Sequence, residues 1–454
     1  VPVNALGHEF TFDMKWLKSA AALLAVLVAI AAVVPFFVTL NDYIPALEKE
    51  ISARIGEPVS IDDLHASLLP VPHARVNGIT IGAAEEVQVG KVTLTPDLWS
   101  LLRSDKVIRS VEFEDVTLTQ KALAGLAALS QGDRGTGQFR VERVRLANAI
   151  VKLERSTFGP FDVDVRVNGP GQQGLVTLKT RDGALEAQAT PQAEHFALEI
   201  KARKWTPPIG PAFVFDELIA KGTAQSKVAE LSSVQASLYG GRASGSVTIA
   251  WENGVSVKGA LELKHVELQQ PVALLSPKTR LSGKLDAKPV FSSHAPTTAE
   301  LDDALHIESP FTVHDGVLHG FDLISAAATL GKQTRGGETR FDALAGRLVM
   351  DRRNYRFSDL AIASGGLGAR GTFNISPSKA LSGQLTASVK GLGPTLAVPL
   401  TVSGTLDAPM LLPNMTALAG AAAGTVILGP GVGTAAGAKL GEFVEGLRGG
   451  SRKR

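Results

Sequence analysis

The side chains in this chain that could do chemistry are few, and their spacing does not suit it. His306, His314 and His319 lie close together in sequence. Three imidazoles in one segment raise the idea of a zinc or general-base site. Their spacing fits no zinc pattern, and no carboxylate pair accompanies them in a recognisable order. Surface histidines beside hairpin turns are the simpler assignment. Gly366, Gly368 and Gly371 match the dinucleotide glycine pattern. They lead into 372–375 (TFNI), a strand sequence, where a nucleotide fingerprint needs the start of a helix. They are turn glycines. Asp302 and Asp303 read as a solvated turn. No phosphate loop, nucleophile elbow or His-Glu-x-x-His motif occurs. Cysteine is absent, so there is neither thiolate chemistry nor a disulfide. The expectation is a protein that is not an enzyme, with no catalytic residue, no metal ligand and no cofactor.

What the sequence does supply is apolar surface. From Phe139 onward the hydrophobic period is two. Phe161, Val163 and Val165 alternate with Asp162, Asp164 and Arg166. Phe196, Leu198 and Ile200 alternate with Ala197, Glu199 and Lys201. Val247 and Ile249, and later Leu396, Val398 and Leu400, repeat the pattern. Asn-Gly, Asp-Gly and Gly-Gly pairs punctuate these runs as hairpin turns. This predicts antiparallel sheet with one apolar and one polar face. Helical patterns that could cover the apolar face are scarce between 139 and 413; 321–330 is the main one. Two arrangements satisfy that constraint. Stacked sandwiches bury the faces on each other. A long sheet curved into a trough leaves an apolar floor that suits lipid. The trough is the expectation carried forward. Its lining is Phe161, Val163, Val165, Phe196, Leu198, Ile200, Val247, Ile249, Leu396, Val398 and Leu400.

The elements before and after this sheet are distinct. Residues 19–40 contain no charge and are long enough, as a helix, to cross a bilayer core of about 30 Å. Leu23, Leu24, Val26, Leu27 and Ile30 lie at its centre. Lys15 and Lys18 precede it, which predicts a cytoplasmic segment 1–18 and export of the rest. A cleaved signal sequence is the alternative, although the run is longer than a usual signal core. Ile44, Leu47, Ile51 and Ile55 then fall at helical spacing, with Asn41 or Asp42 as cap and Gly56 as stop. Strand signals fill the remainder of 41–130. The polar, glycine-rich stretch 131–138 is the expected linker, followed by the β-rich part, 139–413. Residues 414–454 carry small residues four apart, at Gly420/Gly424 and Gly433/Gly437. This predicts a glycine-rich helical hairpin that packs on itself, on an envelope protein partner or in a membrane; a flexible tail is the bland alternative. The chain has 454 residues and a net charge of +2, with its one dense basic cluster at 448–454, so no nucleic-acid partner is expected.

Two regions resemble the AsmA family of bacterial envelope proteins. The first comprises the apolar run, 47–61 (LEKEISARIGEPVSI), 68–73 (LLPVPH), 91–102 (KVTLTPDLWSLL) and 108–113 (IRSVEF). The second comprises 315–323 (DGVLHGFDL), 339–346 (TRFDALAG) and 357–371, closed by 402–409 (VSGTLDAP). The resemblance implies an inner-membrane-anchored, periplasmic protein related to bridge-like lipid transfer proteins. In those, phospholipid acyl chains slide along a curved β-groove. With roughly 20 to 25 strands about 4.8 Å apart, such a groove is on the order of 100 Å long. That is short for connecting two membranes unaided, which leaves a partial bridge, a shuttle or a non-enzymatic assembly factor for outer-membrane proteins.

Overall fold

The computed structural model describes residues 40–67, 71–100, 106–122, 139–167, 174–192, 195–225, 227–276, 280–320, 322–328, 337–389, 396–414 and 416–417. The expected anchor residues Leu23, Leu24, Val26, Leu27 and Ile30, the expected linker 131–138 and nearly all of the glycine-rich segment lie outside them. No helix among the described residues is long and apolar enough to cross a membrane. Among the described residues the fold is mainly β, with few and short helices. It divides into two compact units, Val1–Leu153 with Thr157–Arg181, and Glu154–Ser156 with Asp182–Arg454.

Unit 1 carries β1 (Val59–Ser67), β2 (His73–Ile81), β3 (Val87–Pro96), β4 (Lys106–Thr119), β5 (Phe139–Val141), β6 (Arg143–Lys152), β7 (Thr157–Arg166) and β8 (Leu175–Thr180). Neighbours pair antiparallel, except that β5 and β6 run parallel to β4. Helix α1 (Ile44–Ile55) precedes β1 and ends on Gly56 at φ 80°, a left-handed stop that glycine adopts without a Cβ penalty. The expected side-chain cap is not made. The Asn41 carboxamide oxygen instead accepts the Leu64 N–H at 3.0 Å. Glu48 Oε1 accepts from Ile61 at 2.8 Å and Ser52 Oγ from Val59 at 3.0 Å. Helix α1 therefore satisfies the outer edge of β1, which would otherwise expose pairing groups to another chain.

Unit 2 begins with β9 (Leu185–Pro191), β10 (Phe196–Trp205), β11 (Phe215–Ala224), β12 (Val228–Leu238), β13 (Gly241–Ala250) and β14 (Val255–Glu267). Helix α2 (Gln269–Leu275), β15 (Leu281–Ala287), β16 (Val290–Ala295) and β17 (His306–His319) follow. Strands β15 and β16 each pair with both β14 and β17, sharing the space between them. Helix α3 (Leu323–Ala328), β18 (Glu338–Asp351), β19 (Asn354–Ala363), β20 (Leu367–Ile375), β21 (Leu381–Val389), β22 (Leu396–Thr405) and β23 (Ala408–Pro413) complete it. Each pairing is antiparallel, so the strands of this unit form one sheet rather than stacked sandwiches.

Both sheets are bulged repeatedly. Asp115 and Asn148 in unit 1, and His265, Asp315 and Asp359 in unit 2, sit in strands at φ 50–58°. Asp, Asn and His tolerate this region better than other side-chain-bearing residues. The Asn148 amide donates to Asp115 Oδ1 at 2.5 Å and the Asn148 N–H to Asp162 Oδ1 at 2.8 Å, which ties the two bulges together. A bulge bends and twists its strand, so bulges in successive strands curve a sheet.

Candidate functional site

Residues opposite one another in a strand register share a face of the sheet, so the registers can be followed across each unit. In unit 1 one row runs Leu64, Val76, Val92, Phe113, Leu146, Val163, Leu178. The next runs Ala66, Ala74, Leu94, Val111, Val144, Val165, Val176. Every member is apolar. Phe161, Val163 and Val165 thus lie on one face. Phe161 is buried and stacks on Phe158 at 5.0 Å, whereas Val163 and Val165 are half-buried.

In unit 2, Phe196, Ala224, Ala229, Ile249 and Val257 form one row. Ile200, Ala220, Val234, Gly245 and Leu261 form a second. Leu198 lies between them, opposite Gly222 and Ala189, and Val247 lies opposite Leu231 and Gly259. The small residues matter. Alanine and glycine beside each large side chain leave space above the sheet that a larger neighbour would fill. Phe196, Leu198, Ile200, Val247 and Ile249 are all half-buried.

The remaining predicted residues are placed differently. A row runs Val266, Leu285, Val313, Leu344, Ile362, Ala369, Ala387, Val398. Val398 and Leu400 are 0% and 1% exposed, packed with Leu323 of α3, Leu367, Ala387 and Leu411. Helix α3 is held there by the Thr339 hydroxyl, which accepts the Leu323 N–H at 3.0 Å, and by Asp322, whose carboxylate accepts the Ser325 N–H at 2.8 Å. Leu396 occupies the same strand, opposite Val389. So β9 to β14 carry the open part of the face, and the strands under α3 carry a closed core. Alternation in sequence cannot separate the two, because the covering residue Leu323 is remote in sequence.

The other face is polar in both units. Arg143 holds Asp164 through two bonds, Nε to Oδ1 at 2.9 Å and Nη2 to Oδ2 at 2.7 Å. These hydrogen bonds keep the Asp164 carboxyl below the usual aspartate range. In unit 2, Lys201 and Lys221 lie 3.2 and 3.5 Å from Glu199. The Lys201 hydrogen bond is the main cause of a lowered Glu199 carboxyl. Asp286 is lowered too, first by the backbone N–H of His265 at 2.7 Å.

The three histidines of β17 do not converge. His306 faces Glu308 and Asp351, His314 faces Asp286 and His319 faces Glu338. Among the described residues no group of three or more such side chains could hold a metal ion. The Gly366 region is a turn between Ser364 and Leu367 that opens β20. A cavity of about 450 Å³, which the sequence did not suggest, is lined by Lys204, Asp216, Tyr239, Glu267 and Gln270 among others. Lys204 is paired with Asp216 across it at 2.5 Å.

Helix α1, which seals the edge of β1, and strands β1 to β4 lie in a part of the chain that resembles a known family. Residues 14–132 match the AsmA family model. The resemblance read from the residues holds over that stretch, about a quarter of the chain. No curated protein and no solved structure matches the chain.

Proposed function

We propose that this AsmA-type protein is a non-enzymatic lipid-handling protein of the bacterial periplasm. Residues 19–40 anchor it in the inner membrane, and its apolar sheet faces receive phospholipid acyl chains in support of phospholipid transport or outer-membrane homeostasis. The observation that carries this reading is the apolar face of β9 to β14. It continues in register across six strands, Phe196, Leu198, Ile200, Val247 and Ile249 on it are half-buried, and no helix covers it among the described residues. Apolar surface left in that state calls for an apolar guest. The opposite face, with its ion pairs, faces water.

The alternative is an assembly factor that binds proteins by strand addition. The outer edge of β1 argues against it there, because α1 already occupies that edge. Benzophenone side chains at Leu198 and Ile249 in living cells decide between the two. Phospholipid should be captured at both, and not at Asp164 or Glu199. Capture of protein alone at Leu198 and Ile249 would favour strand addition.

A further inference from the structure

The two ends of the unit 1 sheet differ. By register, Ser67, His73, Pro96, Arg143, Arg166 and Leu175 lie toward one end. Val59, Ile81, Val87, Leu118 and Phe158 lie toward the other. At the second end the apolar face is closed: Val59, Leu118 and Val151 are 8%, 6% and 5% exposed. At the first end the row from Ala66 to Val176 is half-buried throughout.

Large apolar side chains project from that same first end. The loop before His73 presents Val71, and the loop after Pro96 presents Leu98 and Trp99, which are 49%, 49% and 75% exposed. The second loop is built to hold its tip outward. Ser100 is buried; its hydroxyl accepts the Val107 N–H at 2.8 Å and donates to the Asp97 carbonyl at 2.7 Å. Asp97 Oδ1 accepts the Trp99 N–H at 3.0 Å. Exposed Arg75 lies near this end by register, and Arg109 is paired with Asp97 at 3.3 Å. The start of α1 also lies toward this end. The Leu40 N–H donates to the Leu64 carbonyl at 3.0 Å, and α1 then runs back along β1 until Ser52 meets Val59. Exposed Tyr43 sits at that start. The charge-free stretch 19–40 therefore joins the sheet where Val71, Leu98 and Trp99 project.

We infer that this end of unit 1 seats in the interfacial layer of a lipid bilayer, with Trp99, Leu98, Val71 and Tyr43 at the boundary between headgroups and acyl chains, and that the half-buried rows opening there are the mouth through which an acyl chain passes. Tryptophan and tyrosine favour that boundary because an apolar ring carries a polar tip. Exposed Arg75 at this end favours anionic headgroups. The mouth, though not the seat, rests on the lipid-handling reading.

The test uses the full chain with Trp16→Phe, Trp205→Phe and Trp251→Phe, leaving Trp99 as its single tryptophan. The protein is reconstituted in vesicles of phosphatidylethanolamine and phosphatidylglycerol. Trp99 emission should shift to the blue, be quenched by lipids brominated high on the acyl chain, and resist aqueous iodide. Unshifted emission that iodide quenches and brominated lipid does not would overturn the seat. In a second arm, Leu98→Asp with Trp99→Asp should abolish phospholipid capture by a benzophenone at Val163 while the unfolding midpoint stays unchanged. Undiminished capture overturns the mouth. If the parent chain captures no lipid at Val163 while Trp99 lies in the bilayer, the lipid-handling reading and the mouth fail and the seat stands.

Discussion

Arginine placed at Leu198 and at Val398 separates an open apolar face from a closed core. Both positions lie in strands of period-two apolar pattern, and they differ in what lies above them. Val398 is 0% exposed beneath α3. A guanidinium there has no route to water, and an unpaired buried charge costs at least several kcal/mol. Domains are typically stable by about 5–15 kcal/mol, so Val398→Arg should leave unit 2 unfolded or marginal. Leu198 is half-buried among Ala189 and Gly222. An arginine stem can lie on that floor with its charge in water. Full burial of a leucine is worth about 1.5–3 kcal/mol, so losing part of it costs about 1–2 kcal/mol. The unfolding midpoint should fall by only a few degrees. Lipid is affected far more strongly. A charge facing hydrocarbon costs several kcal/mol, and every 1.4 kcal/mol is tenfold, so capture at Ile249 should drop by about 100-fold or more. Calorimetry and photocrosslinking on the same preparations read both quantities. If Leu198→Arg unfolds as completely as Val398→Arg, the face over β10 is closed. If it folds and capture at Ile249 is undiminished, acyl chains do not pass there.

Four further outcomes are expected. Val163→Asp should abolish phospholipid capture, whereas Asp164→Val loses the Arg143 pair, costs up to about 1 kcal/mol and retains capture; calorimetry with crosslinking checks both. The Asp164 carboxyl is lowered in the folded state, so its pair stabilises fully above the ordinary aspartate value of about 4 and is lost as pH falls through the lowered one. Asp164→Asn should accordingly flatten the acid limb of a stability–pH curve below about pH 4. Glu48→Ala removes the acceptor of the Ile61 N–H, so hydrogen exchange at Ile61 should accelerate and stability fall by about 1 kcal/mol. Arg352 and Arg353 form the β18–β19 turn at φ 47° and 65°; Arg352→Asn should raise stability by roughly 0.5–1 kcal/mol in denaturant titration, since asparagine tolerates that conformation better.

The apolar faces were legible wherever strict alternation persisted, as from Phe196 to Ile200 and from Val247 to Ile249. They were harder to read where a bulge changes parity within a strand. Along β4 the inward residues are Val111 and Phe113, then Val116 and Leu118, with Asp115 taking up the extra position. Along β6, Val144 and Leu146 give way to Ala149 and Val151 across Asn148. An apolar spacing of three between two pairs spaced by two, with Asp or Asn between, is the signal that reveals such a bulge. The parallel pairing of β4 with β6 left no local trace, because it depends on a crossover and not on turn chemistry. The Arg352–Arg353 turn was equally silent, since it adopts a conformation usually marked by Asn-Gly.

Closure, rather than apolarity, distinguishes the parts of these faces, and it follows from where the helices are. In unit 1, Ile44, Ile51 and Ile55 of α1 pack on the core that includes Val59, Ile61 and Leu118. In unit 2, Leu323 of α3 packs over Leu367, Ala387, Val398 and Leu400. Val272 of α2 joins Leu268, Val313 and Phe341. Each of these helices adds large apolar side chains above a sheet floor, and the residues beneath fall below a tenth exposed. From β10 to β13 no helix is present among the described residues, and the half-buried floor beside Phe196, Leu198 and Ile249 is small: Gly222, Ala224, Ala229 and Gly245. A core that closed on itself would need large residues at those positions to fill the volume. On the lipid-handling proposal, small residues beside half-buried Phe196, Leu198 and Ile249 leave room on the face for an acyl chain. Enlarging the half-buried Ala229 to leucine should therefore reduce lipid capture at Ile249 without lowering the unfolding midpoint. In a packed core the same change would cost about 1–3 kcal/mol of strain, so a lowered midpoint with unchanged capture would contradict the proposal.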